Sequence, residues 1–346
     1  MLESFKGGAY ETIFSIRQPQ LSHHGGFMSH QTNIQDWLEY AINQTHPLLK
    51  IWFTHSQLES NLREHTERDF DWLENLGAKF SIRMPVSGAT PEMYNHRILE
   101  VAQRQVMLGI RFKAMNPDFP FVDVVRSSEA ITNQTQVDAI KAVIRKEFAI
   151  FKPKAARFCQ PSHLEYQFPN GTGDKRFLAA PLTTILELPK PENLDRIQLI
   201  RAENLDFYPR YAAIYDQLYL ERPWLPEVAS METLEDMKSY LEGVTFEVFL
   251  DGNWAGITSF DRSIEHGLSG WYTNEIVLEK HARGQGIGAS LQHIVAQTLL
   301  QHSQTTESDL LWGTIGAVNM PMLKTATRAG RVDVGGWYWE SLETLA

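Results

Sequence analysis

The chain has 346 residues, a net charge of −10 and 43% hydrophobic residues. That composition supports a sizeable core and excludes a disordered chain, and the length sets an expectation of two domains. Cys159 is the single cysteine, which excludes an intramolecular disulfide. No Cys/His spacing resembles a zinc site, so no metal is expected.

The charge is uneven. Residues 1–190 hold 21 Lys and Arg against 20 Asp and Glu, whereas residues 191–346 hold 11 against 22. An acidic second half repels phosphate backbones, so no nucleic acid is expected as a partner. The start MLESFKGGAYETIF lacks a charged stretch followed by an apolar one, and no apolar run approaches the ~18 residues of a membrane helix. No membrane association and a cytoplasmic location are the expectation.

In the first half, Leu48–Phe53, Lys79–Met84, Phe121–Val125 and Ala155–Phe158 read as strands. Gln57–Leu76, Met93–Met107 and Gln136–Phe151 read as helices, and Leu164–Leu182 as a hairpin closing on NGTGD. This alternation predicts an α/β unit with a mixed or parallel sheet. Its histidines, among them His23, His24, His55 and His65, have no ligand partners in the pattern. Cys159 reads as a small buried hydrophobe. The polar, proline-bearing segment LPKPENL, 188–194, predicts a linker. The expected organisation is an accessory α/β domain over 1–187, the linker, and a second domain over 195–346.

The second half parses as strand Arg196–Ala202, helix Asn204–Leu220, short helix Thr233–Leu241, and two strands, VTFEVFL and NWAGITSFD, joined at Asp251-Gly252. Strand Trp271–Leu278, helix Ile287–Leu300, strand Asp309–Ala317, helix Met320–Ala329 and a final strand or bent hairpin VDVGGWYWESL follow.

Between strand and helix stands ARGQGIGASLQ, with Gly284, Gly286 and Gly288 at alternate positions behind Arg283. A helix start carries unpaired N–H groups and the positive end of the helix dipole, and glycine lets an anion approach them. A phosphate or pyrophosphate seat is predicted here. A Walker loop would need a lysine that is absent. A Rossmann fingerprint would need its first glycine directly after a strand, where this chain has the polar run Glu279–Arg283.

Arg283-Gly284-Gln285-Gly286-Ile287-Gly288 resembles the R/Q-x-x-G-x-G/A motif of the GNAT superfamily of acyl-CoA-dependent N-acyltransferases. The element order of residues 196–346 is similar to theirs. The family commonly continues N-x-x-A-x-x-L-Y-x-x-x-G-F. In that register this chain has Asn319, Met322, Thr325, Ala326, Gly330 and Arg331, so the Asn-to-Gly spacing is kept and the tyrosine and phenylalanine are not.

The resemblance implies a GNAT fold in the second half, an α+β unit whose central sheet is mixed and largely antiparallel. It implies a donor site for acetyl-CoA at Gly284, Gln285, Gly286, Ile287, Gly288 and Ala289 with Arg283, at the strand backbone Ile276, Val277 and Leu278, and at Asn319. It implies transfer of an acetyl or acyl group to a primary amine of a small molecule or peptide by direct attack on the thioester. Glu275 is the first candidate base. Tyr272 lies on the opposite strand face by alternation, so the two exclude each other. The family's tyrosine acid falls on Ala326, so that role is absent or moved to Tyr338. Asp261 is a weaker candidate. Tyr215, Tyr219 and Trp224 are expected to wall the acceptor site.

Two readings of the first half stand open. It is either a degenerate second GNAT-like unit, with RSSEAITNQTQ in place of a glycine loop, or an unrelated domain that shapes the acceptor site or forms a homodimer. The rival to an enzyme is a non-catalytic acyl-CoA-binding regulatory module.

Overall fold

The computed structural model describes residues 33–343. His23 and His24 lie outside the described residues. The described residues begin with four helices: α1 (Ile34–Gln44), α2 (Pro47–Trp52), α3 (His55–Glu74) and α4 (Leu76–Arg83). The Asn33 side chain caps α1, Pro47 opens α2, and Thr54 with Gln57 forms a capping box on α3.

Two expected strands are therefore helices. In α2, Leu49 and the following Phe53 are buried at a spacing of four while Ile51 is 74% exposed. In α4, Phe80 and the following Met84 are buried and Ile82 is 81% exposed. The helix expected over Met93–Met107 is instead a hairpin of β1 (Arg97–Val101) and β2 (Arg104–Phe112). It turns on Ala102 and Gln103, at φ 50° and 62°.

Then come β3 (Pro120–Ser127), α5 (Gln134–Glu147), β4 (Ala155–Gln160) and β5 (Thr172–Pro181), with α6 (Leu182–Glu187) directly behind. The hairpin expected over Leu164–Leu182 is thus one strand, preceded by turns. Its would-be partner strand does not form because β5 pairs with second-half strands on both sides.

The second half runs β6 (Ile197–Arg201), α7 (Tyr208–Glu221), α8 (Leu234–Tyr240), β7 (Val244–Leu250), β8 (Asn253–Glu265), β9 (Leu268–Leu278), α9 (Ile287–Leu300), β10 (Leu310–Gly316), α10 (Met320–Arg328) and β11 (Val332–Ser341). This is the expected order. Asp251 and Gly252 turn the β7–β8 hairpin with positive φ at both positions.

Among the described residues, eleven strands form one mixed sheet, in the order β1-β2-β3-β4-β11-β5-β10-β9-β8-β7-β6. Only β3–β4 and β9–β10 pair in parallel, each across a helical connection. The expected second sheet, confined to the first half, is not what forms. Strand β11, from the end of the chain, lies between β4 and β5, and β5 lies between β11 and β10. Counted outward from this exchanged pair, β4 and β10, β3 and β9, β2 and β8, and β1 and β7 occupy matching places.

The first-half helices also reach over the second half. A Cβ on Gly267, in the β8–β9 turn, would lie 3.2–3.3 Å from Leu62, Leu49 and Leu58. The Asn61 amide donates to the Gly267 carbonyl. Trp271, Ile276 and Leu278 of β9 pack with α9 on one face, and Val277 packs with α7 on the other.

Residues 191–346 alone leave seven β10 residues, Leu310 to Gly316, without their β5 partners. That fragment is expected to show no cooperative thermal transition, whereas the full chain shows one. Calorimetric melting of both decides this, and a cooperative fragment would contradict the exchange of strands as a condition for folding.

Candidate functional site

Strands β9 and β10 are hydrogen-bonded only from Gly270–Tyr272 to Leu310–Trp312. Beyond that, β9 stays with β8, through Ile276–Thr258 and Val277–Ile257. Strand β10 stays with β5, through Gly313–Leu178 to Gly316–Lys175. The two strands diverge, and a cleft of about 550 Å³ opens between them, walled by α7, by the start of α9 and by α10.

The glycine loop forms one lip. Gly284 and Gly286 stand at φ 77° and 76°, and a Cβ on either would meet nothing within 4 Å. Backbone conformation therefore requires glycine here. Gly286 is the N-cap of α9 and offers no side chain to its first N–H groups, which leaves the positive end of a 14-residue helix open to the cleft. Gly288 has a different reason: a Cβ there would lie 2.5 Å from the Thr325 methyl, so this glycine lets α9 and α10 pack closely.

The structure places Gly284, Gly286, Ile287, Gly288 and Ala289 in the cleft wall, with Ile276, Val277, Leu278 and Asn319. Arg283 also borders it, but its guanidinium donates to Glu221 at 2.9 Å and to Gln217 at 3.5 Å. These bonds tie the loop to the end of α7, while the residue stays in the cleft lining. The Gln285 side chain turns to Arg196 and the His281 carbonyl, outside the wall. Sequence reasoning missed Lys324 and Arg328, which α10 brings to the cleft at the helical spacing of four.

Glu275 is 7% exposed and lines the cleft. Its Oε2 accepts from the Tyr215 hydroxyl at 2.7 Å and from the Tyr211 hydroxyl at 3.0 Å. Tyr211 in turn accepts from the Glu232 N–H. Burial pushes the Glu275 carboxyl up to about 7, and the two tyrosine hydrogen bonds hold it back from rising further.

Tyr272 lies on the same face as Glu275, which corrects the expected exclusion. The register of β9 against β8 shifts between Ser259–Glu275 and Phe260–Thr273, so Asn274 is an extra, bulged residue. The bulge resets the alternation, and both side chains meet the cleft. The Tyr272 hydroxyl bonds to the Thr314 hydroxyl at 3.1 Å.

Other candidates stand elsewhere. Tyr338 sits in the first-half core, stacked on Phe168, with its hydroxyl between Arg176 and Gln167. It does not reach the cleft, because β11 is inserted beside β4. Ala326 is the buried residue of α10 and brings no phenol. Asp261 accepts from Asn274 outside the wall. Of the three expected acceptor-site aromatics, Tyr215 lines the cleft. Tyr219 instead accepts from the Met231 N–H, and Trp224, 37% exposed, is outside the wall.

The matching place in the first half is built differently. Asn133 caps α5, its side chain accepting from the Gln136 N–H at 3.1 Å. Between the ends of β3 and β4 lies a cavity of about 150 Å³, lined on one side by Trp37 and Ala41 of α1. Among the described residues, no cluster of three His, Cys, Asp or Glu could hold a metal, and no helix is long and apolar enough to cross a membrane.

Glu275 gives stability a pH signature. Its carboxyl has an ordinary value of 4.5 and is raised to about 7 in the fold. The native state therefore binds more protons than the unfolded state between these values. The stabilisation is present below pH 4.5 and is lost as pH rises through 7. Glu275→Gln is expected to reduce the loss of stability between pH 5 and pH 8 by roughly 3 kcal/mol. Urea unfolding at both pH values checks this, and equal losses in both proteins would contradict the burial of an ionisable carboxyl.

No protein-family model and no curated protein matches the sequence. Solved structures do resemble it. A tandem GNAT protein from the clavulanic acid biosynthesis pathway is 13% identical, with a TM-score of 0.44, covering 81% of this chain and 96% of its own. A GNAT-family acetyltransferase from Colwellia psychrerythraea is 14% identical, with a TM-score of 0.45, covering 82% of this chain and 97% of its own. A GCN5-related N-acetyltransferase from Sphaerobacter thermophilus is 11% identical, with a TM-score of 0.44, covering 69% of this chain and 77% of its own. The structural neighbours of this chain thus include GNAT acetyltransferases, one of them a tandem protein.

Proposed function

We propose that the chain is an acyl-CoA-dependent N-acyltransferase acting on a primary amine of a small molecule or peptide. One observation carries this reading: a single cleft joins an open, glycine-capped helix start at one end to a buried carboxylate of raised pKa at the other. The residues fit a CoA thioester. The first N–H groups of α9 suit its pyrophosphate. The β9 edge over Ile276–Leu278, turned away from β8, suits the amides of its pantetheine arm. When bound, the thioester supplies the carbonyl that the amine attacks.

An alkylamine of pKa about 10.4 is mostly protonated at pH 7, and removing the proton costs roughly 4–5 kcal/mol. Glu275, with its carboxyl raised to about 7, is part ionised there and strong enough a base to share that proton. Tyr215 and Tyr211 hold its Oε2 in place. The cleft holds amine and thioester together, which supplies most of the remaining acceleration.

Turnover is expected to rise with pH through about 7, as Glu275 ionises. Glu275→Gln is expected to remove that limb and lower turnover about 10²–10⁴-fold. A pH–rate profile of CoA release measures both, and a variant with full activity would move the base elsewhere.

Gly286→Glu places a carboxylate and a strained L-residue at the helix start. It is expected to weaken CoA binding about 100-fold by calorimetry; unchanged affinity would sink the donor seat. Buried Ala326, where the related motif has tyrosine, favours one rival reading, a non-catalytic acyl-CoA-binding module. That rival requires tight CoA binding with no release of CoA from a thioester in the presence of any amine.

A further inference from the structure

Arg331 stands between α10 and β11, at the cleft wall, and is 1% exposed. Its Nε and Nη2 donate to the Leu178 carbonyl at 3.1 and 2.8 Å, and its Nη1 donates to Gln292 Oε1 at 3.4 Å. A guanidinium carries five N–H groups, so these bonds leave one on each Nη. Among the described residues, no carboxylate pairs with it. Gln292, 0% exposed on α9, has an Nε2 without a partner, and so does the buried Thr273 hydroxyl.

Arg331 and Thr273 meet where β9 and β10 part, and Gln292 stands behind the Arg331 guanidinium. A Cβ on Gly313 would lie 3.1 Å from Arg331 Nη2 and 3.2 Å from Thr273 Cβ. Bare backbone at Gly313 is what admits the guanidinium. A buried cation with spare donors and no anion is costly, and an anionic ligand relieves that cost.

We propose that Arg331 and Gln292 form a carboxylate seat at the vertex of the cleft, and that the preferred donor carries a short dicarboxylic acyl group whose free carboxylate lies there. This rests on the donor reading above. A thioester whose pyrophosphate sits at the start of α9 runs back along β9 from Leu278 to Thr273, about 17 Å, and brings its acyl end to that vertex. The reaction is unchanged in kind. The amine nitrogen bonds to the thioester carbonyl carbon, the C–S bond breaks with its electron pair on sulfur, and the amine proton passes to Glu275. The far carboxylate takes no part except in binding. An acetyl or simple alkanoyl group would leave the Arg331 and Gln292 donors unmet.

The test compares calorimetric binding of CoA, butyryl-CoA and succinyl-CoA to the full chain. The two thioesters have acyl chains of equal carbon number and differ in the terminal carboxylate. Succinyl-CoA is expected to bind about tenfold tighter than butyryl-CoA or more, about 1.4 kcal/mol, with the preference reduced to within about twofold in Arg331→Met. The comparison in the unaltered protein stands even where that variant fails to fold. Butyryl-CoA binding as tightly as succinyl-CoA, or a preference that survives in a folded Arg331→Met, would overturn the carboxylate seat and leave the donor reading standing. Failure of CoA and both thioesters to bind would overturn the donor reading, and the seat with it.

Discussion

The parting of β9 from β10 is the constraint on which the site depends. Three residue pairs hold the two strands together, and then each follows a different neighbour. Strand β9 is bound to β8 over its whole length, and β10 is bound to β5 from Leu310 to Gly316. Neither can turn back toward the other without giving up hydrogen bonds already made. The bulge at Asn274 adds local twist where the strands separate. The cleft is thus held open by backbone pairing on its outer sides, and side-chain packing has only to finish its walls.

Because β5 comes from the first half of the chain, that half is part of the frame of the cleft. The exchange of β5 and β11 places two parallel β-α-β arrangements at matching distances from the centre of one sheet. They differ at the helix starts. At α5, Asn133 spends its side chain on the helix's own N–H groups. At α9, Gly286 has no side chain to spend. The cavity beside the first is about 150 Å³ and lined in part by α1, whereas the cleft beside the second is about 550 Å³ and lined by α10. The same β-α-β arrangement thus has one helix start closed by its own side chain and one left open, and a single capping residue marks the difference.

The second half was legible because its turns are made of residues that announce turns. Asp251-Gly252 and the glycine loop mark the ends of periodic segments, and Gly330 follows the last helix. The first half hides its signals. Ala102 and Gln103 hold positive φ in a turn without glycine or asparagine, so β1 and β2 merge into one apparent helical run. Ile51 and Ile82 are apolar but exposed, and they complete short apolar runs that imitate strands. Glu275 was visible as an acid on the strand before the loop, but its relation to Tyr272 was not. A bulge inverts side-chain parity, and nothing in WYTNEIVL marks one. Arg331 was visible only as a departure from a motif; its burial depends on Gly313 and Leu178, both distant in sequence.

Glu275 and Arg331 show what the sheet accomplishes electrostatically. One is a buried acid facing α7, and the other a buried base facing α9, at the same opening but on opposite sides of it. Side by side they would neutralise each other, and both would be spent on stability. Their pKa values shift in the direction that burial dictates, Glu275 upward to about 7 and Arg331 downward to about 10. Hydroxyls, a carbonyl and an amide are their partners, groups that orient an ion without cancelling its charge. A carboxylate kept in this way retains affinity for a proton, and a guanidinium kept in this way retains affinity for an anion. The fold accepts that loss of stability at one place in the sheet, where the strands have already parted.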